Sequence, residues 1–346
     1  MTVSIEQLGQ SESELASWDD YVKAAENGTF FHLSGWQTVL KKAFGHKPFF
    51  LLAKREGRIV GVLPLAQVRS FLFGNHLVAL PFCVYGGVVA DDEEAANALR
   101  EAACAKAIEL NVEALEMRNI EATQNSDWPR KDLYVTFRKA IDPDHDVNLK
   151  AIPNRQRAMI RKGIANGLVS EPSDDSARLY RVYSESVRNL GTPVFSARYF
   201  KVLQEVFGDA CRILMITHEG RDVAGVMSFY YKNEVLPYYG GSVAAARSIK
   251  GTNDFMYWEL MRRSCDEGLS LFDFGRSKKG TGAYKFKKNW GFPPQDLNYE
   301  YFLVKAEKMP ELNPNNPRYE KLIAIWRKLP LSVANRIGPP VAAYLG

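Results

Sequence analysis

Two stretches of the chain show the same order of apolar segments around a polar turn. Residues 49–65 pass from one apolar segment through Glu56, Gly57 and Arg58 into a second apolar segment. Residues 212–229 repeat this order around a second Glu-Gly-Arg turn at 219–221. Two apolar runs joined by a tight glycine turn predict a β-hairpin in each place.

Further landmarks recur after each predicted hairpin. Pro-Phe-Cys-Val-Tyr-Gly-Gly-Val-Val-Ala at 81–90 resembles Pro-Tyr-Tyr-Gly-Gly-Ser-Val-Ala at 237–244. A predicted helix follows each motif, and each helix leads into a short apolar strand; the helices span 92–110 and 253–267, and the strands 112–118 and 269–274. Matched landmarks in the same order indicate an internal duplication.

The order hairpin, strand, helix, strand is that of an α+β acyltransferase core of the GNAT type, although it fits other mixed sheets as well. We therefore predict two tandem GNAT-like mixed-sheet domains, at 1–147 and 148–310. We expect the tail, 311–346, to pack back on the first domain. Its tryptophan, Trp326, and its cations leave open a second interpretation, in which a basic amphipathic helix lies on an anionic membrane surface.

Composition narrows the class of protein. The 346 residues carry a formal net charge of +5, and the four cysteines are scattered without a CxxC pair, which is typical of buried thiols in a reducing compartment. The five histidines show no metal-ligand spacing, so we expect no metal. The start of the chain lacks signal-peptide features, and no apolar run approaches membrane-spanning length. We expect a cytoplasmic protein, peripheral to the inner membrane if the tail binds there.

Clustered cations mark the segment from Asp273 to Gly291. It contains no acid after Asp273, and its glycines and aromatics alternate with six cations: Arg276, Lys278, Lys279, Lys285, Lys287 and Lys288. A glycine-containing loop at a strand end lets the backbone approach a ligand, and clustered cations favour a phosphorylated one. Arg276, Lys278 and Lys285 are our candidates for phosphate binding.

A second basic cluster follows the junction between the two halves. No acid occurs from Val147 to Ser170, and Arg157 and Arg161 are four residues apart, so they share one face of a predicted helix. Apolar residues supply the other face. A solvated surface helix explains this pattern as well as an anionic ligand does, but two acid-free clusters favour a shared ligand.

With these residues in view, the chain resembles the Fem-type aminoacyltransferases and their GNAT relatives. More narrowly, it is similar to FemAB-like proteins associated with exosortase/PEP-CTERM and exopolysaccharide systems. The resemblance is strongest from Gly251 to Gly291, and its most specific element is a Phe-Lys-x-x-aromatic-Gly ending, here Phe286, Lys287, Trp290 and Gly291. It implies transfer of an acyl group, often an amino acid from aminoacyl-tRNA, onto an amine of a peptidoglycan precursor or a related sugar-containing acceptor.

The resemblance also implies that a C-terminal segment returns to complete the first domain. The chain lacks the long charged heptad insertion of some Fem-type enzymes. The co-substrate is therefore aminoacyl-tRNA or acyl-CoA, with no tightly bound cofactor expected. The acceptor would be a sugar-nucleotide or lipid-linked envelope precursor.

Amide formation from an activated ester requires a neutral amine, a stabilised oxyanion and a protonated leaving group. Lys287 is our leading catalytic candidate, as a stabiliser of negative charge or a clamp on an acceptor phosphate. Tyr239 and Tyr284 are candidates to orient substrate or donate a proton. Asp273 is a candidate general base; its alternative role is to cap the backbone or to pair with Arg276. Trp290 belongs to the same predicted substrate-binding segment, where holding the loop in place is the simpler role.

Two other functions remain open at this point. One is a CoA-dependent N-acyltransferase of an amino sugar or peptide, and the other is a non-catalytic component that binds an exopolysaccharide precursor. The first half lacks the lysine-aromatic-glycine ending, so we predict that it is catalytically silent. The absence of a helix-turn-helix or zinc pattern argues against sequence-specific DNA binding and leaves tRNA contact only through a donor.

Overall fold

The computed structural model describes residues 2–71, 73–121, 127–310 and 317–345. The chain forms two compact units. The first contains Met1–Asp132, Asp296–Leu312 and Ala343–Gly346, and the second contains Leu133–Gln295 and Asn313–Ala342. Each unit has one mixed sheet flanked by helices, which confirms the predicted α+β class.

The strands are β1 (Ser4–Gln7), β2 (Lys47–Arg55), β3 (Arg58–Ser70), β4 (Gly74–Ala79), β5 (Val89–Ala90), β6 (Ala114–Asn119), β7 (Arg130–Lys131), β8 (Tyr134–Ala140), β9 (Val169–Ser173), β10 (Cys211–His218), β11 (Arg221–Tyr231), β12 (Glu234–Ser242), β13 (Leu271–Asp273), β14 (Ser277–Lys278), β15 (Pro294–Asp296) and β16 (Asn298–Leu303). The helices are α1 (Glu12–Ala24), α2 (Gly35–Val39), α3 (Glu93–Glu109), α4 (His145–Ala151), α5 (Asn154–Ala165), α6 (Ser176–Leu190), α7 (Ala197–Phe207), α8 (Thr252–Asp266), α9 (Gly282–Asn289), α10 (Pro317–Lys328) and α11 (Leu331–Ala342).

The two sheets have the same strand order. The first runs β1-β2-β3-β4-β6-β16-β7 and the second runs β9-β10-β11-β12-β13-β8-β14. In both, the fourth and fifth strands are parallel and the strands on either side pair antiparallel. Both predicted hairpins form, as β2–β3 and β10–β11. Identical order and direction agree with the duplication inferred from the sequence.

The boundary between the halves differs from the prediction at residue 147. Strand β8 follows the first repeat in sequence but pairs with β13 in the second sheet, where Phe272 lies opposite Lys139. Conversely, β16 follows the second repeat and pairs with β6 in the first sheet. Backbone hydrogen bonds therefore place each sixth strand in the sheet of the other repeat. The segment that we expected to return to the first domain was the tail, whereas β16 lies within the predicted second domain, 148–310.

The tail also differs from the prediction. Helices α10 and α11 belong to the second unit and contact α6, whereas the last residues, Ala343–Gly346, belong to the first unit. Small residues allow this packing, because Gly191 at the end of α6 lies against Ile323 and Gly338 lies beside Trp326. Residues 311–316 of the predicted tail lie outside the described residues.

The helices of the second unit cover both faces of its sheet. Gly240 in β12 lies against Met256 and Tyr257 of α8, whereas its neighbour Gly241 lies against Tyr183 and Ser186 of α6. Successive residues of a strand point to opposite faces, so α8 and α6 cover opposite faces. This division decides which predicted site residues can meet.

Candidate functional site

Lys287 and Asp273 converge on the turn that follows β13. The Nζ atom of Lys287 donates hydrogen bonds to the carbonyl oxygens of Gly275 (3.0 Å) and Arg276 (3.1 Å). The Oδ1 atom of Asp273 accepts one from the Gly275 N–H (2.7 Å). Gly275 has φ +65°, a conformation that favours glycine. Asp273 and Lys287 thus hold the N–H and the carbonyl oxygen of Gly275, respectively.

The environment of Lys287 disfavours its charge. Burial lowers the pKa of Lys287 to about 7; the nearby Arg276 charge acts in the same direction, and the Asp273 carboxylate opposes it. The Nζ atom also lies 5.8 Å from the centre of the Phe137 ring. At neutral pH this lysine exchanges between an ammonium and an amine. Either form retains N–H groups for the two carbonyl oxygens.

The segment that carries Lys287 is a helix rather than the loop suggested by its glycines. The Oγ1 atom of Thr281 caps α9 by accepting a hydrogen bond from the Tyr284 N–H (3.3 Å). Apolar contacts then hold α9 against α8. Trp290 is fully buried, and its Nε1 donates to Asp254 Oδ1 (3.0 Å). Trp290 therefore holds the helix in place.

Asp273 lies in a buried ion-pair network. Its side chain is fully buried, with Oδ2 3.3 Å from Arg138 Nε and Oδ1 accepting from Thr136 Oγ1 (3.2 Å). Arg138 also donates to Glu234 Oε2 (2.7 Å). Asp273 thus caps the Gly275 backbone, as one of its two suggested structural roles has it, and pairs with Arg138. Because the carboxylate is enclosed by these partners, it positions the turn and is poorly placed to take a proton from a substrate.

Three other predicted residues lie close to this network. Arg276 and Lys278 stack over the ring of Tyr134, at 4.7 and 5.8 Å from its centre. The ring of Tyr284 meets the ring of Phe137 edge-on, with 5.5 Å between the centres. Strand β8, which supplies Tyr134 and Phe137, thus brings Arg276, Lys278 and Tyr284 together with Lys287.

Tyr239 does not join this group. Its hydroxyl lies 2.7 Å from the hydroxyl of Tyr199 in α7, and its ring packs against Tyr183 of α6. It therefore faces the α6 side of the sheet, whereas Lys287 lies on the α8 side. The sequence places Tyr239 next to two glycines but does not reveal which face it occupies.

The two basic clusters of the sequence flank α8. Arg157 and Arg161 lie on α5, which packs against α8, and Lys285 is exposed on α9. The start of α5 meets the end of α9, because a Cβ at Gly291 would lie 3.2 Å from Pro153. Arg157 donates to Asn154 Oδ1 at the first turn of α5. The cations thus lie on two helices that contact α8 near its start, and we call Arg157, Arg161 and Lys285 together the positive surface.

Strands β12 and β13 part close to this surface. Their parallel pairing covers Glu234–Leu271 and Val235–Phe272 and ends there, whereas the pairing of β13 with β8 continues to Asp273–Arg138. Beyond the separation, a Cβ at Gly240 would lie 3.0 Å from the Tyr257 hydroxyl. Burial raises the pKa of Tyr257 to about 12, so this hydroxyl stays protonated at neutral pH.

Sequence reasoning missed two of the residues that build this site. Arg138 lies in a strand that we assigned to the other half, and its sequence neighbours carry no motif. Tyr257 lies on a helix whose apolar residues are all expected in a core. Only the strand exchange and the position of α8 bring these side chains to β13 and β12.

A cavity in this unit lies apart from these residues. It measures about 230 Å³ and opens at the end of β8, where its lining includes Lys139, Val147, Met261 and Phe292. None of the predicted site residues lines it. Among the described residues, no three His, Cys, Asp or Glu side chains are grouped to hold a metal ion.

Comparisons with known proteins agree with this architecture. Residues 153–288 match the family model of the acetyltransferase (GNAT) domain. The structure of FemX superposes with a TM-score of 0.67 at 16% identity, covering 87% of this chain and 98% of FemX. A tandem GNAT protein from the clavulanic acid biosynthesis pathway gives 0.57 at 14% identity, covering 87% and 98%. L-PGS from Bacillus licheniformis gives 0.56 at 13% identity, covering 93% and 97%.

Comparison with curated protein sequences gave no match. At these identities the solved structures establish the fold alone, and that fold is the predicted pair of GNAT-like domains. Residues 153–288 contain the α5 cations, the parted strands and Lys287. Residues 153–288 therefore match the acetyltransferase (GNAT) domain model, and the chain as a whole has a tandem GNAT-like fold.

Proposed function

We propose that the second unit transfers an acyl or aminoacyl group from an activated carrier to an amine. The acceptor is a sugar-containing, phosphorylated precursor of cell-envelope or exopolysaccharide assembly, as in the FemAB-like group associated with exosortase systems. The observation that carries the proposal is the separation of β12 and β13 beside the turn fixed by Lys287 and Asp273. This separation lies within the matched acetyltransferase domain.

The parted strands suit the donor. Backbone N–H groups along the edge of β12 are fixed by its pairing with β11, so they need no rearrangement to meet a developing oxyanion. The Tyr257 hydroxyl, beside Gly240, supplies a further hydrogen-bond donor. An extended donor arm lying between the strands would present its carbonyl to these groups.

The positive surface suits a phosphorylated partner. Arg157, Arg161 and Lys285 lie on α5 and α9, two helices that contact α8, whose N-cap is Gly251. Arginine and lysine side chains recognise phosphate through charge-assisted hydrogen bonds. We assign this surface to the phosphates of the acceptor or of the donor carrier.

The reaction then needs no covalent enzyme intermediate. The acceptor nitrogen attacks the donor carbonyl carbon, the new C–N bond forms, and the bond to the carrier breaks. The nitrogen loses a proton to solvent or to a neighbouring base, and the carrier leaves with a proton. Lys287 contributes by fixing the 275–276 turn at the end of β13, which keeps the reacting groups aligned.

A second candidate is a CoA-dependent N-acyltransferase of an amino sugar or a peptide. Two observations favour it, the acetyltransferase description of the matched domain and the start of α8 at Gly251. The backbone N–H groups at a helix N-terminus bind phosphate groups. This reading changes the donor and the acceptor but not the site.

A transfer assay followed by mass spectrometry tests the proposal. Donors would be acetyl-CoA and aminoacyl-tRNA, and acceptors would be UDP-linked cell-wall precursors, amino-sugar nucleotides and a model peptide. We expect one donor to yield an amide with a phosphorylated sugar acceptor, and the double variant Arg157→Ala/Arg161→Ala to raise its KM. Amide formation on the peptide alone supports the second candidate. No product with any pair would contradict both.

A further inference from the structure

Helices α10 and α11 pack side by side on α6 with distinct inner faces. Trp326 of α10 lies beside Gly338 of α11, and Asn335 Nδ2 donates to Ser184 Oγ of α6 (3.2 Å). The link is completed by Arg188 of α6, which donates to the Leu329 carbonyl between the two helices (2.9 Å). Since both inner faces meet α6, both outer faces point away from it.

The outer faces carry large apolar side chains. Leu322 and Ile325 on α10 are 61% and 59% exposed, and Val333 and Ile337 on α11 are 40% and 43% exposed. They lie at i, i+3 and i, i+4 spacing, so each pair forms one stripe. Trp326, which the sequence suggested as a membrane contact, is instead half-buried on the inner face.

Cations accompany these stripes. Lys321 and Lys328 lie on the same side of α10 as Leu322 and Ile325, and Arg336 borders Val333 on α11. From Lys321 to the end of the sequence there is no acid. We call Lys321, Leu322, Ile325, Lys328, Val333, Arg336 and Ile337 the tail surface.

We propose that the tail surface binds an anionic lipid bilayer, with the four apolar side chains entering the headgroup boundary. Apolar stripes bordered by lysine and arginine are the pattern of helices that lie in a membrane interface. No helix within the described ranges is both long and apolar enough to cross a bilayer, so contact would be peripheral. The proposal is independent of the acyl-transfer function.

The cations of the tail surface favour an anionic bilayer as its partner over a second copy of this chain. A symmetric dimer through the tail surface would bring the same patch of both copies together and place cations against cations. An anionic surface instead neutralises them. Each lysine or arginine near such a surface strengthens binding by about fivefold.

Vesicle co-sedimentation of the full chain tests this proposal. The probes are phosphatidylcholine vesicles with and without phosphatidylglycerol. We expect binding only to the anionic vesicles and its loss at 1 M salt, where the Debye length falls from about 10 Å to about 3 Å. Ile325→Glu should weaken binding at least about tenfold. Ile108→Glu is the matched control, because Ile108 is also 59% exposed but lies on α3 of the first unit.

Three outcomes would overturn the proposal. They are equal binding to neutral and anionic vesicles, anionic binding that Ile325→Glu leaves unchanged, and no binding at all. Sedimentation velocity without lipid adds a fourth. A dimer abolished by Ile325→Glu but not by Ile108→Glu would assign the tail surface to self-association instead. Circular dichroism melting of both variants checks that they fold.

Discussion

Asp273 accepts a hydrogen bond from the N–H of Gly275, and Lys287, twelve residues further on, donates one to its carbonyl oxygen. The end of β13, the turn and α9 are thereby joined through a single residue. The two side chains also interact electrostatically, since the Asp273 charge favours the protonated form of Lys287. The turn beside the parted strands is therefore held by a titratable group with a pKa near neutrality.

Replacing Lys287 with methionine should lower the rate of acyl transfer by about 100-fold. The variant loses both hydrogen bonds to the 275–276 turn, and a displacement of the turn by about 1 Å misaligns the reacting groups. Steady-state kinetics measures this effect. Lys288→Met is the matched control, because Lys288 is exposed on the same helix. Equal activities of the two variants would rule out a role for Lys287 in catalysis.

The pH dependence of stability should report the burial of Lys287. Its pKa falls from the usual 10.5 to about 7 in the folded protein, so between these values the unfolded chain holds one more proton at this site. The free energy of unfolding of the wild type relative to Lys287→Met should therefore rise with pH, by up to about 1.4 kcal/mol per unit. Urea denaturation at pH 7.5, 8.5 and 9.5 measures this difference. A flat difference would show that the ammonium is solvated.

Replacing Arg138 with methionine should destabilise the protein by about 3–5 kcal/mol, because it leaves two buried carboxylates, Asp273 and Glu234, without their cation. Burial raises the pKa of Glu234, the Asp273 charge raises it further, and Arg138 opposes both. Urea denaturation measures the loss.

The control for this change is Arg212→Met. Arg212 pairs with Glu267 at the surface, where both side chains are more than two-fifths exposed, so the loss should be at most about 1 kcal/mol. Similar losses in the two variants would mean that the Arg138 network contributes no more than a surface ion pair.

Substitutions at Tyr199 and Tyr239, whose hydroxyl groups are hydrogen-bonded, test whether Tyr239 has a structural or a catalytic role. Tyr239→Phe and Tyr199→Phe each remove the same 2.7 Å hydrogen bond and should each cost about 1 kcal/mol. Because Tyr239 faces α6, both variants should retain transfer activity within about twofold. A loss of activity in Tyr239→Phe but not in Tyr199→Phe would contradict this interpretation and support a catalytic role for the Tyr239 hydroxyl.

Local pattern predicted the elements of this fold well but not their partners. The Glu-Gly-Arg turns located both hairpins, and the sequence pattern located α3 and α8 within one residue. The exchange of β8 and β16 was not predictable, because the pattern of apolar and polar residues in a strand does not specify which sheet the strand joins. Which strands pair across a long sequence separation, as β6 and β16 do, is decided by the packing of the whole chain.

The sequence located some residues of the site and missed others, again because it does not specify long-range packing. The Phe-Lys-x-x-Trp-Gly segment led to Lys287 and to the turn that it holds, because the chemistry lies within a few residues. Arg138 and Tyr257 reach the site only through tertiary packing, and Tyr239 is carried to the opposite face by the pleat of β12. The tail was misassigned because an apolar helix face does not specify which surface it covers.

Amide hydrogen exchange of the full chain with and without donor tests the central claim most directly. The donors would be acetyl-CoA and aminoacyl-tRNA at saturating concentration, with a UDP-linked precursor added in a parallel series. Binding between β12 and β13 predicts slower exchange at residues 237–242 and 274–276. Protection confined to the first unit, or none with any ligand that supports transfer, would contradict an acyl-transfer site in the second unit.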